Sequence, residues 1–87
     1  MSLNQLREKI DQVDKELLRL FEARMDISRE IAGYKQKQGL PVLDSAREAE
    51  KLDLLSEFVR PDLRPYAKNL YETLFALSRR YQNHVTR

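Results

Sequence analysis

The chain has 87 residues, of which 41% are hydrophobic and 34% are charged, and its net charge at pH 7 is +2. This balance is typical of one small helical domain covering residues 1–87 and argues against a disordered chain or a nucleic-acid partner. With no Cys and only one His, His84, the sequence excludes disulfides, thiolate zinc sites and histidine-rich metal sites.

The first predicted element is one long amphipathic helix from Leu3 to Gln38. Apolar residues recur there at alternating steps of three and four: Leu3, Leu6, Ile10, Val13, Leu17, Leu20, Ile27, Ile31 and Tyr34. Such a helix is roughly 54 Å long, whereas a compact chain of this size is only about 30 Å across. We therefore expect a second chain, most simply a second copy, to cover part of the apolar stripe.

The ends of this helix carry clear boundary signals, and its stripe contains one charged residue. Ser2 and Gln5 form a predicted capping box, and Gly39 suits a left-handed C-terminal cap. Arg24 stands where the stripe calls for an apolar side chain. An internal ion pair is the plainer explanation of an inward arginine taken alone, since a buried charge needs a partner.

The second predicted helix runs from about Ser45 to Val59. Ser45 and Glu48 match a capping box, and Asp44 offers an alternative N-cap. The predicted buried stripe of this helix is Leu52, Leu55 and Val59. Glu48 precedes Leu52 by about one helical turn and Leu55 by about two, so it lies on the same face and also occupies an inward position.

The third predicted helix runs from about Pro65 to His84, since proline suits a first helical turn. Its predicted buried side is formed by Leu70, Leu74, Leu77, Tyr81 and Val85. Ser78 and Gln82, one turn apart, lie within or beside that side. The fold class is thus all-α, with three helices per chain, and we expect an intertwined helical homodimer.

The inward polar residues of the three helices are predicted to surround one space. They are Arg24, Lys35, Arg47, Glu48, Ser78 and Gln82. Arg7 lies about 25 Å from Arg24 along the helix, but in an antiparallel pair of chains the partner's copy could complete the site. Four cations and one acid predict an anionic ligand with two carboxylates. With no nucleophile–base pair, metal set or phosphate loop, catalysis would rest on positioning and electrostatics, without a cofactor.

Three segments that together cover nearly the whole chain resemble the all-helical chorismate mutases. They are LREKIDQVDKELLRLFEAR, IAGYKQKQGLPVLDSARE and LSRRYQ. The ordered set of polar residues within them carries the resemblance: Arg7, Arg24, Lys35, Asp44, Arg47, Glu48, Ser78 and Gln82. The resemblance implies a homodimer in which Arg7 crosses to the other subunit, and the rearrangement of chorismate to prephenate in aromatic amino acid biosynthesis, part of the shikimate pathway.

The resemblance also implies a role for each residue of the set. Arg24 and the partner's Arg7 would hold the two carboxylates of chorismate, with Ser78 assisting. Arg47 would line the pocket, and Asp44 would help to bind substrate or simply cap its helix. Glu48 would accept a hydrogen bond from the ring hydroxyl. Lys35 and Gln82 would donate to the ether oxygen, where negative charge develops.

Two other functions stay open at this level. An isochorismate–pyruvate lyase would use a similar cationic pocket on the same fold. The other is a catalytically silent dimerisation or regulatory module, but such a module would have apolar residues at the inward positions of Arg24, Glu48 and Gln82.

The remaining features are less specific. No apolar run approaches about 18 residues and no signal-peptide pattern opens the chain, so a cytoplasmic location without a membrane partner is expected. Arg79 and Arg80 do not fit the family resemblance well, because the residue after the serine is usually apolar. They would either point outward or, for Arg79, alter the rim of the pocket.

Overall fold

The computed structural model describes residues 1–86, which fold into three α-helices and one short 3-10 helix. The α-helices are α1 (Leu3–Gln38), α2 (Ser45–Phe58) and α3 (Arg64–Val85), and the 3-10 helix is Pro61–Leu63. α3 packs against both α1 and α2. The all-α fold with three helices is confirmed.

Both predicted caps of α1 are present. The Gln5 backbone N–H donates to the Ser2 hydroxyl, and the Ser2 backbone N–H donates to the Gln5 side chain, which completes the capping box. At the other end, Gly39 has φ 69° and ends the helix in the left-handed conformation. The bounds of α1 agree with the sequence prediction.

α2 begins at Ser45, as predicted, and uses one of the two N-caps that the sequence offered. Asp44 is the N-cap, and its side chain accepts a hydrogen bond from the Arg47 backbone N–H at 3.0 Å. Ser45 is already the first helical residue, so the predicted Ser45–Glu48 capping box is wrong. A helix has a single N-cap position, and here the carboxylate of Asp44 fills it. α2 ends at Phe58, one residue earlier than predicted, because Val59 is extended.

The buried face of α3 is rotated relative to the predicted stripe. Phe75 and Gln82 are the buried residues of this helix, whereas Leu70 is 50% exposed. Since α3 packs against two helices at once, the face that includes Phe75, Ser78 and Gln82 turns inward. The predicted leucine stripe lies beside this face, and Leu74 and Leu77 are half-buried.

The single chain is elongated and leaves the N-terminal half of α1 without cover. The structure measures 54 × 26 × 15 Å, and its radius of gyration is 16.0 Å, against about 12 Å for a compact chain of this length. The apolar residues of the stripe from Leu3 to Leu20 are between 46% and 65% exposed. Within residues 1–86 the buried hydrophobic core consists of Ala32, Leu55 and Phe75. Nothing in the described part of this chain shields the apolar stripe from water.

None of the described helices combines the length and the apolar character that a membrane span requires.

Candidate active site

A cavity of about 630 Å³ lies where the C-terminal half of α1, the first turns of α2 and the C-terminal half of α3 meet. Every residue of the predicted site except Arg7 lines it. Apolar side chains from α1 and α3 complete the wall, among them Ile27, Ile31 and Phe75. The three helices thus bring distant parts of the sequence to one partly enclosed space.

Arg24 is held in the cavity from two sides. Its Nη1 donates to the Ser78 hydroxyl at 2.5 Å, and its guanidinium lies 5.9 Å from the centre of the Phe75 ring. The ion pair that a lone inward arginine suggests is replaced by a neutral hydroxyl and an aromatic face. Arg24 therefore keeps its full positive charge available for an anion.

Lys35 is fixed at the end of the cavity where α1 gives way to the connector. Its Nζ donates to the backbone carbonyl of Val42 at 2.8 Å. An ammonium group has three donors, so this bond orients the side chain and leaves donors for a ligand.

Gln82 presents a buried amide whose bonding is incomplete. Its side chain Nε2 donates to the Ser28 hydroxyl at 2.9 Å, and its Oε1 is buried without a partner. With the amide in the opposite orientation, the Ser28 hydroxyl would donate to Oε1, and Nε2 would be free to donate to a ligand. In either orientation one polar atom of the buried amide lacks a partner in this chain, which costs about 1–3 kcal/mol until a ligand supplies one.

Glu48 has an ion-pair partner that the sequence did not specify. Arg79 Nη1 lies 2.5 Å from Glu48 Oε2, and both side chains are mostly buried, at 33% and 25% exposure respectively. Of the two alternatives for Arg79, the structure therefore supports the pocket rim and not the solvent-facing surface. Arg80, the next residue, is exposed.

Asp44 and Arg47 lie at the open edge of the cavity. Asp44 acts as the helix cap described above, and the Arg47 side chain pairs with Glu50 at 3.0 Å on the same exposed face of α2. Both residues line the cavity but are exposed. Within residues 1–86 the Arg47 side chain contributes positive charge at the rim and makes no hydrogen bond to the other site residues.

Arg7 is the one predicted site residue that the chain does not bring to the cavity. It lies in the exposed N-terminal part of α1, 17 positions before Arg24, which corresponds to about 25 Å along the axis. This agrees with the expectation that Arg7 cannot reach the site of its own chain.

Among the residues of the site that the sequence analysis missed, Ser28 and Phe75 had a signal that could have revealed them. Ser28 lies one turn after Arg24 on α1, and Phe75 lies three positions before Ser78 on α3. Both therefore share a helical face with a residue that was recognised. Extending the predicted face by one turn on each helix would have included them.

The wall of the cavity is predominantly positive. Its cations are Arg24, Lys35, Arg47, Lys51 and Arg79, against the carboxylates of Asp44 and Glu48. Within residues 1–86 no cluster of acidic and histidine side chains is arranged to hold a metal ion. The geometry can bind a small anion with two negative groups and can present a buried donor and a carboxylate to its neutral part.

A comparison with known families gives the same assignment. The family model described as chorismate mutase type II matches residues 6–83. The chain belongs to the chorismate mutase type II family. The matched segment includes all of the cavity residues and Arg7.

Individual relatives of this chorismate mutase type II chain include larger proteins. A T-protein of Haemophilus influenzae is 29% identical over 80% of this chain and 21% of its own length. A 3-dehydroquinate dehydratase of Pyrobaculum aerophilum is 38% identical over 61% of this chain and 18% of its own length. A chorismate mutase of Methanocaldococcus jannaschii is 35% identical over 53% of this chain and 46% of its own length. The chain thus spans less than half the length of each of these relatives.

Proposed function

We propose that the chain catalyses the rearrangement of chorismate to prephenate and that residues 1–87 act as one catalytic domain. The observation that carries this proposal is the convergence of polar side chains from α1 and α3 on one cavity, among them Arg24, Lys35 and Gln82. A plain helical bundle would place apolar residues at these inward positions. Membership of the chorismate mutase type II family supports the same reaction.

The proposed active form is an intertwined dimer. The apolar stripe of α1 from Leu3 to Leu20 is exposed in the single chain, and burying apolar surface yields about 25 cal/mol per Å². In an antiparallel arrangement of two α1 helices, the N-terminal half of one helix lies beside the central part of the other. Arg7 of one subunit then reaches the cavity of its partner, where it adds a further cation.

The substrate is a dicarboxylate with a ring hydroxyl and an enolpyruvyl ether. Arg24 and Arg7 of the second subunit hold the carboxylates, and the Ser78 hydroxyl, which accepts from Arg24, has its own proton to donate. Arg47 and Asp44 contribute at the rim. Glu48 accepts the hydrogen bond of the ring hydroxyl.

Catalysis follows from position and charge alone. In the rearrangement a carbon–oxygen bond breaks as a carbon–carbon bond forms, and no proton, electron or group is gained or lost. Negative charge builds on the ether oxygen as its bond lengthens. The free donors of Lys35 and the side-chain amide of Gln82 stabilise that charge, and in a partly closed site such donors lower the barrier more than they would in water.

The first test measures the loss of chorismate and the appearance of prephenate with the purified protein. Lys35→Ala is expected to lower kcat about 100- to 1,000-fold, the typical effect of removing one donor from developing charge. Lys37→Ala is the matched control, because Lys37 lies two residues further along α1, is exposed and does not line the cavity. Circular dichroism and chromatography check that both variants keep the wild-type fold and size.

The same assay separates the alternatives. Full activity in Lys35→Ala would remove this residue from the mechanism. Release of pyruvate and salicylate from isochorismate, with no prephenate from chorismate, would identify a lyase. Absence of turnover with either substrate would support a silent binding module and would overturn the proposal.

A further inference from the structure

The structure joins two residues whose side chains come from different helices and meet at the cavity wall. Arg79, on α3, donates to Oε2 of Glu48, on α2. Within residues 1–86, the Glu48 side chain makes no other hydrogen bond. Glu48 is therefore attached to α3 through Arg79.

We propose that Arg79 is a positioning residue for Glu48, an inference that rests on the function proposed above. A free glutamate has several rotatable bonds and samples many positions, and ordering it costs free energy. The guanidinium binds one carboxylate oxygen and leaves the other, Oε1, to accept the hydrogen bond of the substrate hydroxyl. Glu48 is thereby held in its binding position before the substrate arrives.

The positive charge of Arg79 should also favour substrate binding. A bare carboxylate in the wall would repel a ligand that carries two negative charges, since like charges a few ångströms apart interact unfavourably. Arg79 pairs with that carboxylate at 33% exposure, where solvent screens the pair only in part. Glu48 can then accept a hydrogen bond while the cavity as a whole stays attractive to a dianion.

The proposal predicts where the defect of an Arg79 variant will appear. The hydroxyl contact is made in the bound substrate as well as in the transition state, so its loss weakens binding at both stages. Arg79→Met retains much of the aliphatic stem and removes the charge. We expect this variant to raise KM about tenfold and to change kcat by less than about twofold. Misplacement of a group that contacts the substrate can lower activity by up to about a hundredfold, and the loss should be smaller here because Glu48 keeps its packing.

Arg80→Met is the matched control, because it removes the same charge from the neighbouring position. Arg80 is exposed and does not line the cavity, so its variant should keep the wild-type KM. Arg79→Lys keeps the charge without the planar guanidinium and should give an intermediate KM. A merely structural defect would lower the fraction of active protein, which reduces kcat and leaves KM unchanged.

A double-mutant cycle with Glu48→Ala tests whether Arg79 acts through Glu48. If it does, Arg79→Met adds little to the defect of Glu48→Ala, and the two changes are not additive. An undiminished effect of Arg79→Met in that background would mean that Arg79 contacts the substrate directly, and it would overturn the proposal. Where turnover is too slow, the affinity for prephenate measured by calorimetry replaces KM in the cycle.

The outcomes also separate this inference from the function on which it rests. If the wild-type protein does not convert chorismate, the proposed function fails and the role of Arg79 fails with it. If the wild type is active and the Arg79→Met and Arg80→Met variants have the same KM, only the positioning role of Arg79 is wrong.

Discussion

Polar side chains that line the cavity or face it hydrogen-bond across the helices in three pairs. Arg24 donates to Ser78, Gln82 donates to Ser28, and Arg79 pairs with Glu48. A buried polar group without a partner is costly, and these bonds reduce that cost without consuming all of the donors and acceptors. The residues that carry the remaining donors and acceptors line the shared cavity, and this is why we interpret the set as a binding site and not as a polar core.

The role of Gln82 can be tested through pH. Glutamine is a neutral donor at every working pH, whereas a glutamate can donate only while its carboxyl is protonated. Burial raises the pKa of a glutamate at this position and the cations of the cavity wall lower it, and the carboxyl donates only at a pH below the resulting pKa. We therefore expect Gln82→Glu to be active at low pH and to lose activity as the pH rises through that pKa.

The measurement for Gln82→Glu is kcat/KM for chorismate between about pH 4.5 and pH 8, with the wild type as reference. The wild-type protein should lack this alkaline loss, since its amide does not titrate. A variant whose activity is independent of pH across that range would show that Gln82 does not act as a donor.

The sequence predicted the individual polar residues of the cavity better than it predicted their partners. Arg24, Glu48 and Gln82 were recognised because each interrupts a regular apolar spacing, which is a local property of one helix. The pairing of Arg79 with Glu48 depends on how far apart α2 and α3 lie and on their rotation, and neither follows from periodicity. The same rotation explains why Leu70 was predicted to be buried and is half-exposed.

At the scale of the helices, the end of a helix was predictable from the sequence where only one nearby residue suits the cap position. Ser2 with Gln5 and the left-handed Gly39 fix α1 at both ends, and the structure confirms both. The start of α2 offered two adjacent capping residues, and the structure uses Asp44. Propensity alone does not distinguish two neighbouring caps.

The two glycines of the chain give opposite predictions for the same substitution. Gly39→Ala should destabilise the protein by about 1 kcal/mol, because φ 69° is unfavourable for a residue with a Cβ atom. Gly33→Ala should stabilise it by up to about 1 kcal/mol, because Gly33 lies inside α1 and an added Cβ meets nothing within 4 Å beyond the neighbouring backbone of its own helix.

Urea unfolding of both glycine variants at one fixed protein concentration measures this difference, since the stability of an oligomer depends on concentration. The two midpoints should shift in opposite directions from the wild-type value. A loss of stability in Gly33→Ala would contradict the prediction and would mean that a second chain packs closely against that position.

At the scale of the whole molecule, the length of α1 is the feature that points most directly to a second chain. A helix that gives the structure an extent of 54 Å cannot bury its apolar side against the two shorter helices of an 87-residue chain. The sequence predicted this from the length of one uninterrupted periodic segment. It could not predict the relative placement of two chains, because the pairing of subunits depends on surfaces that form only after each chain has folded.

The shared site of the proposed dimer makes a prediction about mixed subunits. Arg7→Ala and Arg24→Ala should each abolish most of the activity, because each removes a cation that holds a carboxylate of the substrate. In a hybrid dimer with one subunit of each type, one of the two sites combines an intact Arg24 with an intact Arg7 from the other subunit. Random mixing makes half of the dimers hybrids, so about a quarter of the wild-type activity should return.

The experiment unfolds the two inactive variants together, refolds them and measures chorismate turnover against each variant refolded alone. Mixing Arg24→Ala with Lys35→Ala is the matched control, since both residues line the cavity of their own chain and a hybrid of this pair contains no intact site. Recovered activity in the first mixture and none in the second would locate Arg7 and Arg24 of one site on different subunits. If neither mixture recovers activity although the hybrids have formed, Arg7 does not cross to the partner, and the length of α1 must be explained in another way.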